Sequence, residues 1–122
     1  MRVFIAVRQA TMRRALKTLL DTRPGLEVVG EAADKKELIS QVESARPDLL
    51  LLDEDLSDEP MADLIATLQQ FDPCPMVMVL GGRSESRDAY LDAGAVAFVN
   101  SSDPPKSLLT AIEGVRFRSN RV

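Results

Sequence analysis

The sequence has no histidine and no tryptophan, and it has one cysteine, Cys74, and one tyrosine, Tyr90, among 122 residues. A single cysteine has no partner for a disulfide within the chain, so no disulfide framework can support the fold. The lack of histidine excludes a histidine-dependent catalytic triad. Zinc sites are built mainly from cysteine and histidine, and an ordinary zinc site is therefore excluded as well.

Charge and hydropathy exclude further classes of protein. The chain has 15 basic and 19 acidic residues, a net charge of −4 and a pI of about 4.8, which argues against a dedicated nucleic-acid surface. Its run of four leucines is far shorter than the roughly 20 residues of a membrane-spanning helix. Residues 1–7 are too short for a secretory signal. We therefore expect a cytoplasmic domain with no direct contact to membrane or nucleic acid.

Five short apolar segments alternate with segments in which apolar residues recur every three or four positions. The first pattern is typical of buried strands, and the second is typical of helices packed on one face. Thr11 is predicted to cap the first helix, and Asp34, with Glu37 three residues later, to cap the second. The alternation predicts one α/β domain with a parallel sheet covered on both faces. The predicted strands are residues 3–7, 26–31, 49–53, 76–80 and 96–99.

The most informative strand is the third, which consists of four consecutive leucines followed by Asp53. Such a uniform run is typical of a central strand buried on both faces. Asp53 stands where this strand leaves the core, and functional groups collect at the carboxyl ends of parallel strands. Asp53 is therefore the candidate reactive group. Glu54 and Asp55, which follow it, are interpreted as acidic loop residues that favour solubility.

Five collinear segments resemble the receiver domains of bacterial two-component response regulators, and most of all the receivers that precede LuxR/NarL-type DNA-binding domains. The segments are residues 2–6, 30–34, 46–53, 93–98 and 107–112. The resemblance covers residues 2–115 and implies a flavodoxin-like (βα)5 fold with strand order 2-1-3-4-5. We predict a receiver-like domain at residues 1–117. Residues 118–122 are then a C-terminal tail or the start of a linker to an output domain that binds DNA.

By this resemblance, Asp53 occupies the position that accepts a phosphoryl group from a histidine kinase. The family supports this reaction with an acidic pair that holds Mg²⁺, a hydroxyl after the fourth strand, a lysine after the fifth strand and an aromatic residue on the fifth strand. This sequence keeps only the aromatic residue. In this sequence, Val7 and Arg8 stand at the positions of the acidic pair, and Gly81 stands at the position of the hydroxyl. Ser101 stands at the position of the lysine, and Phe98 is the retained aromatic residue.

These departures predict a degenerate receiver, or pseudo-receiver, which is not an enzyme and works through protein–protein contacts. Without Mg²⁺, a dianionic phosphodonor would meet the Asp53 carboxylate against an unopposed repulsion of roughly 4 kcal/mol at close contact. We accordingly expect no catalytic residue, no metal ligand and no cofactor. One alternative is an ordinary phosphoacceptor, modified at Asp53 with Mg²⁺. A second is a small-ligand sensor that uses the cleft around Asp53, Gly81 and Gly82, although these two glycines are more simply a flexible turn.

Two hypotheses concern contacts. The Arg8 guanidinium could pair with Asp53 and replace the missing cation, or it could point into solvent or pair with Glu54 or Asp55. The fourth helix is alanine-rich and thinly apolar, and Phe98 lies on the strand after it. We therefore expect the α4-β5-α5 face to be completed by a protein partner or by a second copy of the chain.

Overall fold

The computed structural model describes the backbone of residues 1–119 and the side chains of residues 1–116, and strand and helix alternate throughout. A single 3-10 turn (Ser84–Ser86) precedes the fourth helix. The strands are β1 (Arg2–Ala6), β2 (Glu27–Ala32), β3 (Leu49–Asp53), β4 (Met76–Gly81) and β5 (Ala97–Asn100). The helices are α1 (Ala10–Asp21), α2 (Lys35–Ala45), α3 (Met61–Leu68), α4 (Arg87–Ala93) and α5 (Pro105–Ser119).

Within residues 1–119, the five strands form one parallel sheet in the order β2-β1-β3-β4-β5. The predicted flavodoxin-like doubly wound fold is confirmed. Register sets Asp53 beside Leu80 and Gly81 beside Asn100. The carboxyl ends of β3, β4 and β5 therefore meet at one edge of the sheet, which is where ligand sites of open α/β sheets lie.

The leucines of β3 form the centre of the core, and all four are completely buried. Leu50 and Leu52 pack in the cluster that also holds apolar residues of α2, α3 and α4. Leu49 and Leu51 face the other layer, in the cluster that holds residues of α1 and α5. Because successive side chains of a strand point to opposite faces, a strand between two helical layers must be apolar at every position.

The two predicted helix caps have different outcomes. Asp34 caps α2 as expected, because its side chain accepts a hydrogen bond from the Glu37 N–H at 2.8 Å. The prediction for Thr11 is wrong, because α1 begins at Ala10 and its N-cap residue has no side-chain cap bond. The Arg13 guanidinium fixes this connection instead, and it donates to the carbonyl oxygens of residues 7 and 8 at 2.8 and 2.9 Å.

The C-terminal boundary is less clearly marked than the sequence predicts. Helix α5 continues to Ser119, so the predicted division between residues 117 and 118 falls within a helix. Residues 120–122 of the predicted tail lie outside the described residues, and the division stays a prediction. None of the described helices is both long enough and apolar enough to cross a membrane.

The assignment of Asp34 as the N-cap of α2 can be tested by mutation. Replacing Asp34 with alanine removes the acceptor of the Glu37 N–H and should lower the free energy of unfolding by about 1 kcal/mol. Urea denaturation followed by circular dichroism measures this change. The exposed loop residue Asp58 provides the control, since Asp58→Ala removes the same charge without removing a cap. Equal stabilities of the two variants would contradict the assignment.

Candidate functional site

Asp53 lies at the carboxyl end of β3, where it is partly buried. One oxygen, Oδ2, accepts a hydrogen bond from the Arg8 N–H at 3.1 Å, and Oδ1 accepts one from the Asp55 N–H at 3.0 Å. Both donors are backbone groups of loops that leave the sheet at this edge. The carboxylate therefore ties the β1–α1 loop to the β3–α3 loop, and both of its oxygens already have partners.

The predicted proximity of Arg8 to Asp53 is observed, but through the backbone. The Arg8 side chain is exposed. In the described part of the chain, its guanidinium forms no ion pair with Asp53, Glu54 or Asp55. The hypothesis that this guanidinium replaces the missing cation is therefore not supported, and the alternative in which Arg8 is solvated fits the geometry.

Glu54 differs most from its sequence interpretation, because its side chain is 2% exposed. Its Oε1 accepts hydrogen bonds from the N–H groups of Gly82 at 3.2 Å and Arg83 at 3.3 Å. Its Oε2 accepts one from the Tyr90 hydroxyl at 2.5 Å. A buried carboxylate is tolerated when such donors replace its hydration. The interpretation of Glu54 as an acidic loop residue kept for solubility is therefore wrong.

Arg83 is the cation nearest to this carboxylate, and the sequence interpretation missed it. Its Nε lies 3.9 Å from Glu54 Oε1, and its Nη2 lies 3.2 Å from Asp55 Oδ1. The Arg83 side chain is 60% exposed, so water screens both interactions and each contributes little to stability. An arginine directly after the glycine pair, across from an acidic triplet, was the available signal.

The remaining positions implied by the resemblance are apolar, exposed or without a side chain. Val7 is completely buried, and its N–H donates to the Ala32 carbonyl at 3.1 Å. Ser101 is exposed in the turn after β5. Gly81 ends β4 and is buried. The centroid of the Phe98 ring lies 6.0 Å from the centroid of the Tyr90 ring, and the two rings are tilted by 38°. Phe98 therefore contacts the residue that binds Glu54.

These residues do not fit the Mg²⁺ that the resemblance implies. Magnesium requires several oxygen ligands in octahedral geometry, whereas the acidic pair is replaced by a buried valine and by Arg8. Glu54 is turned into the protein, and Asp55 contacts Arg83. Among the side chains that the structure describes, no group of three acidic, histidine or cysteine residues could hold a metal ion.

A cavity borders this edge at the carboxyl ends of β4 and β5, beside Leu80, Asn100 and Ser101. It has a volume of about 650 Å³ and lies between α1 and the start of α5, where Met12, Leu16 and Leu108 contribute to its apolar lining. The space beside Gly81, where the sequence suggested a ligand cleft, is filled by the Glu54 side chain.

Comparison with known proteins identifies the family. The family model of the response regulator receiver domain matches residues 3–113. A curated relative, the protein-glutamate methylesterase/protein-glutamine glutaminase of Alkalilimnicola ehrlichii, is 34% identical over 91 residues. The alignment covers 71% of this chain, but the chain spans only 23% of the length of that relative.

Solved structures agree on the fold. A LuxR-family two-component response regulator from Aurantimonas sp. is 27% identical with a TM-score of 0.84, over 93% of this chain and 83% of that one. The response regulator domain of Thermotoga maritima CheB is 21% identical with a TM-score of 0.83, over 100% of this chain and 98% of that one. Because these similar proteins belong to different groups, the LuxR/NarL subfamily stays a prediction.

The Glu54–Tyr90 contact changes the acidity of Tyr90. Burial raises the pKa of Tyr90 above its ordinary value of 10.0, and the hydrogen bond to Glu54 and its negative charge raise this pKa further. A hydrogen bond with Ser86 and the charge of Arg83 act in the opposite direction. The folded protein therefore holds the phenol proton more tightly than the unfolded chain does. The associated stability is complete below pH 10.0 and is lost as the pH rises through the folded-state pKa.

Absorbance titration tests this contact, because Tyr90 is the single tyrosine of the chain. We expect Tyr90 to ionise above pH 10.0, and Glu54→Gln to lower its pKa because the substitution removes the adjacent negative charge. Asp55→Asn is the control, since it removes a neighbouring charge that does not bind Tyr90. If both variants kept the original pKa, the Glu54–Tyr90 bond would be absent in solution.

Proposed function

The chain belongs to the response regulator receiver domain family, and from this we propose that it is a signalling module that acts through protein–protein contacts, without the usual Mg²⁺-dependent phosphorylation. The observation that carries the proposal is the state of the Mg²⁺ position. A buried valine and the exposed Arg8 replace the acidic pair, beside an Asp53 whose two oxygens accept backbone N–H groups. The receiver scaffold is retained, and the groups that assist phosphoryl transfer are absent.

The chemistry of phosphoryl transfer supports this proposal. Its transition state spreads negative charge over the phosphoryl oxygens, and catalysis consists largely of positioning and charge neutralisation. Removing even one preorganised stabilising group typically costs a factor of about 100 to 1,000 in rate. Here the metal ligands, the hydroxyl at position 81 and the lysine at position 101 are all replaced. Asp53 should therefore react with phosphodonors very slowly.

The two alternatives differ in their support. One observation still favours an ordinary phosphoacceptor: Asp53 stands at the carboxyl end of β3 and is only partly buried. The small-ligand sensor at this edge is supported less, since Glu54 fills the space beside Gly81. The first alternative is therefore the one that the experiment below must distinguish.

The partner surface in this proposal is the α4-β5-α5 face. Ala89 is exposed on α4, while Tyr90 and Phe98 connect the same helix and strand to the carboxylate of Glu54. A protein partner or a second copy of the chain would bind here. Because the chain spans a small part of its curated relative, an output domain in a longer protein is a further part of the proposal.

Phosphorylation is tested by incubation with acetyl phosphate and Mg²⁺, followed by intact-mass measurement. We expect no mass increase under conditions in which a conventional receiver with its acidic pair is modified to near completion. Asp53→Asn serves as the second control. Stoichiometric addition of one phosphoryl group that Asp53→Asn abolishes would overturn the proposal and establish the phosphoacceptor alternative.

A further inference from the structure

The backbone of Glu54 is held at the edge of the sheet. Its N–H donates to the Leu80 carbonyl at 2.8 Å, which continues the pairing of β3 and β4 one residue beyond Asp53. This bond fixes the backbone from which the Glu54 side chain starts. Because Cβ is positioned by the backbone, a change of the Glu54 rotamer cannot move that atom away from β4.

Gly81 leaves the space that the Glu54 side chain occupies. A Cβ atom added at Gly81 would lie 2.6 Å from Glu54 Oε1 and 2.7 Å from Glu54 Cβ. Gly81 does not have a positive φ, unlike Gly25 and Gly94. The requirement for glycine at position 81 is therefore one of space rather than of backbone conformation. A side chain at position 81 and the buried Glu54 exclude each other.

The Glu54 carboxylate connects three parts of the structure. Oε1 accepts the N–H groups of Gly82 and Arg83, in the β4–α4 connection, and Oε2 accepts the hydroxyl of Tyr90 on α4. Tyr90 in turn packs against Phe98 of β5. One negative group thus holds the connection, helix α4 and strand β5 in a single arrangement.

We propose that Glu54 is a built-in anion that locks the β4–α4 connection, and that Gly81 is present because a side chain there would expel this anion. The lock holds α4 against β5 with a carboxylate supplied by the chain itself. The lock deepens the proposed function, and its role in signalling rests on that proposal. An α4-β5-α5 face that Glu54 holds in place needs no phosphoryl group. The lock itself needs neither Mg²⁺ nor a phosphodonor.

A double-mutant cycle between positions 54 and 81 tests the exclusion directly. In the wild-type background, Gly81→Ala should raise the unfolding equilibrium constant by about 30-fold, because the new methyl group displaces Glu54. In the Glu54→Gly background, the three atoms nearest to the added methyl group are absent, and the same Gly81→Ala change should have an effect of about threefold or less. Urea denaturation of the four proteins provides these constants.

Gly82→Ala is the matched control, since no heavy atom beyond its two chain neighbours lies within 4 Å of a Cβ added at Gly82. It should change the unfolding constant by about twofold at most in either background. Equal effects of Gly81→Ala with and without Glu54 would overturn the lock. Such a result would leave the phosphorylation experiment unaffected, so the two proposals fail separately.

Amide hydrogen exchange separates a local lock from a general loss of stability. The N–H groups of Gly82 and Arg83 should exchange about tenfold faster in Glu54→Gly and in Gly81→Ala than in the wild type, under conditions well below global unfolding. In Gly82→Ala, the Arg83 amide should keep its protection. Wild-type exchange of the Arg83 amide at the rate of an unprotected loop would contradict the proposal.

Discussion

The arrangement at the carboxyl edge of the sheet depends on one buried charge, the carboxylate of Glu54. An isolated buried carboxylate would be strongly destabilising, and removing one partner of a buried charge costs several kcal/mol. Here two backbone N–H groups and the Tyr90 hydroxyl satisfy it, with the Arg83 guanidinium nearby. Because these donors belong to the β4–α4 connection and to α4, satisfying the charge also determines where both of them lie.

The neighbouring carboxylates are satisfied in the same local way. Asp53 accepts backbone N–H groups from two loops, and Asp55 contacts the exposed Arg83 guanidinium. Each of the three carboxylates at the end of β3 thus has a partner within the described part of the chain. These contacts support the proposal of a fixed signalling surface rather than a switch driven by phosphorylation.

Much of the fold could be predicted from sequence, because apolar patterning determines it: a strand of four leucines must lie between two helical layers. The end of that strand also marked Asp53 as the candidate group, and the resemblance to receiver domains implied the replaced positions around it. Side-chain direction was not predictable. An acidic triplet does not indicate that Glu54 turns inward, and a glycine pair does not distinguish a flexible turn from the space that Gly81 provides. The Arg8 hypothesis failed for a similar reason, since strand neighbours determine backbone contact but not the path of a long side chain.

The most direct test is a comparison of two isosteric variants, Asp53→Asn and Glu54→Gln, by amide chemical shifts. If the buried carboxylate organises this edge of the sheet, Glu54→Gln will shift the amides from Gly82 through α4 and into β5. Asp53→Asn will shift mainly those of Arg8 and Asp55, whose N–H groups it binds. The opposite pattern, with α4 and β5 responding to Asp53→Asn and not to Glu54→Gln, would show that Asp53 still controls the receiver face.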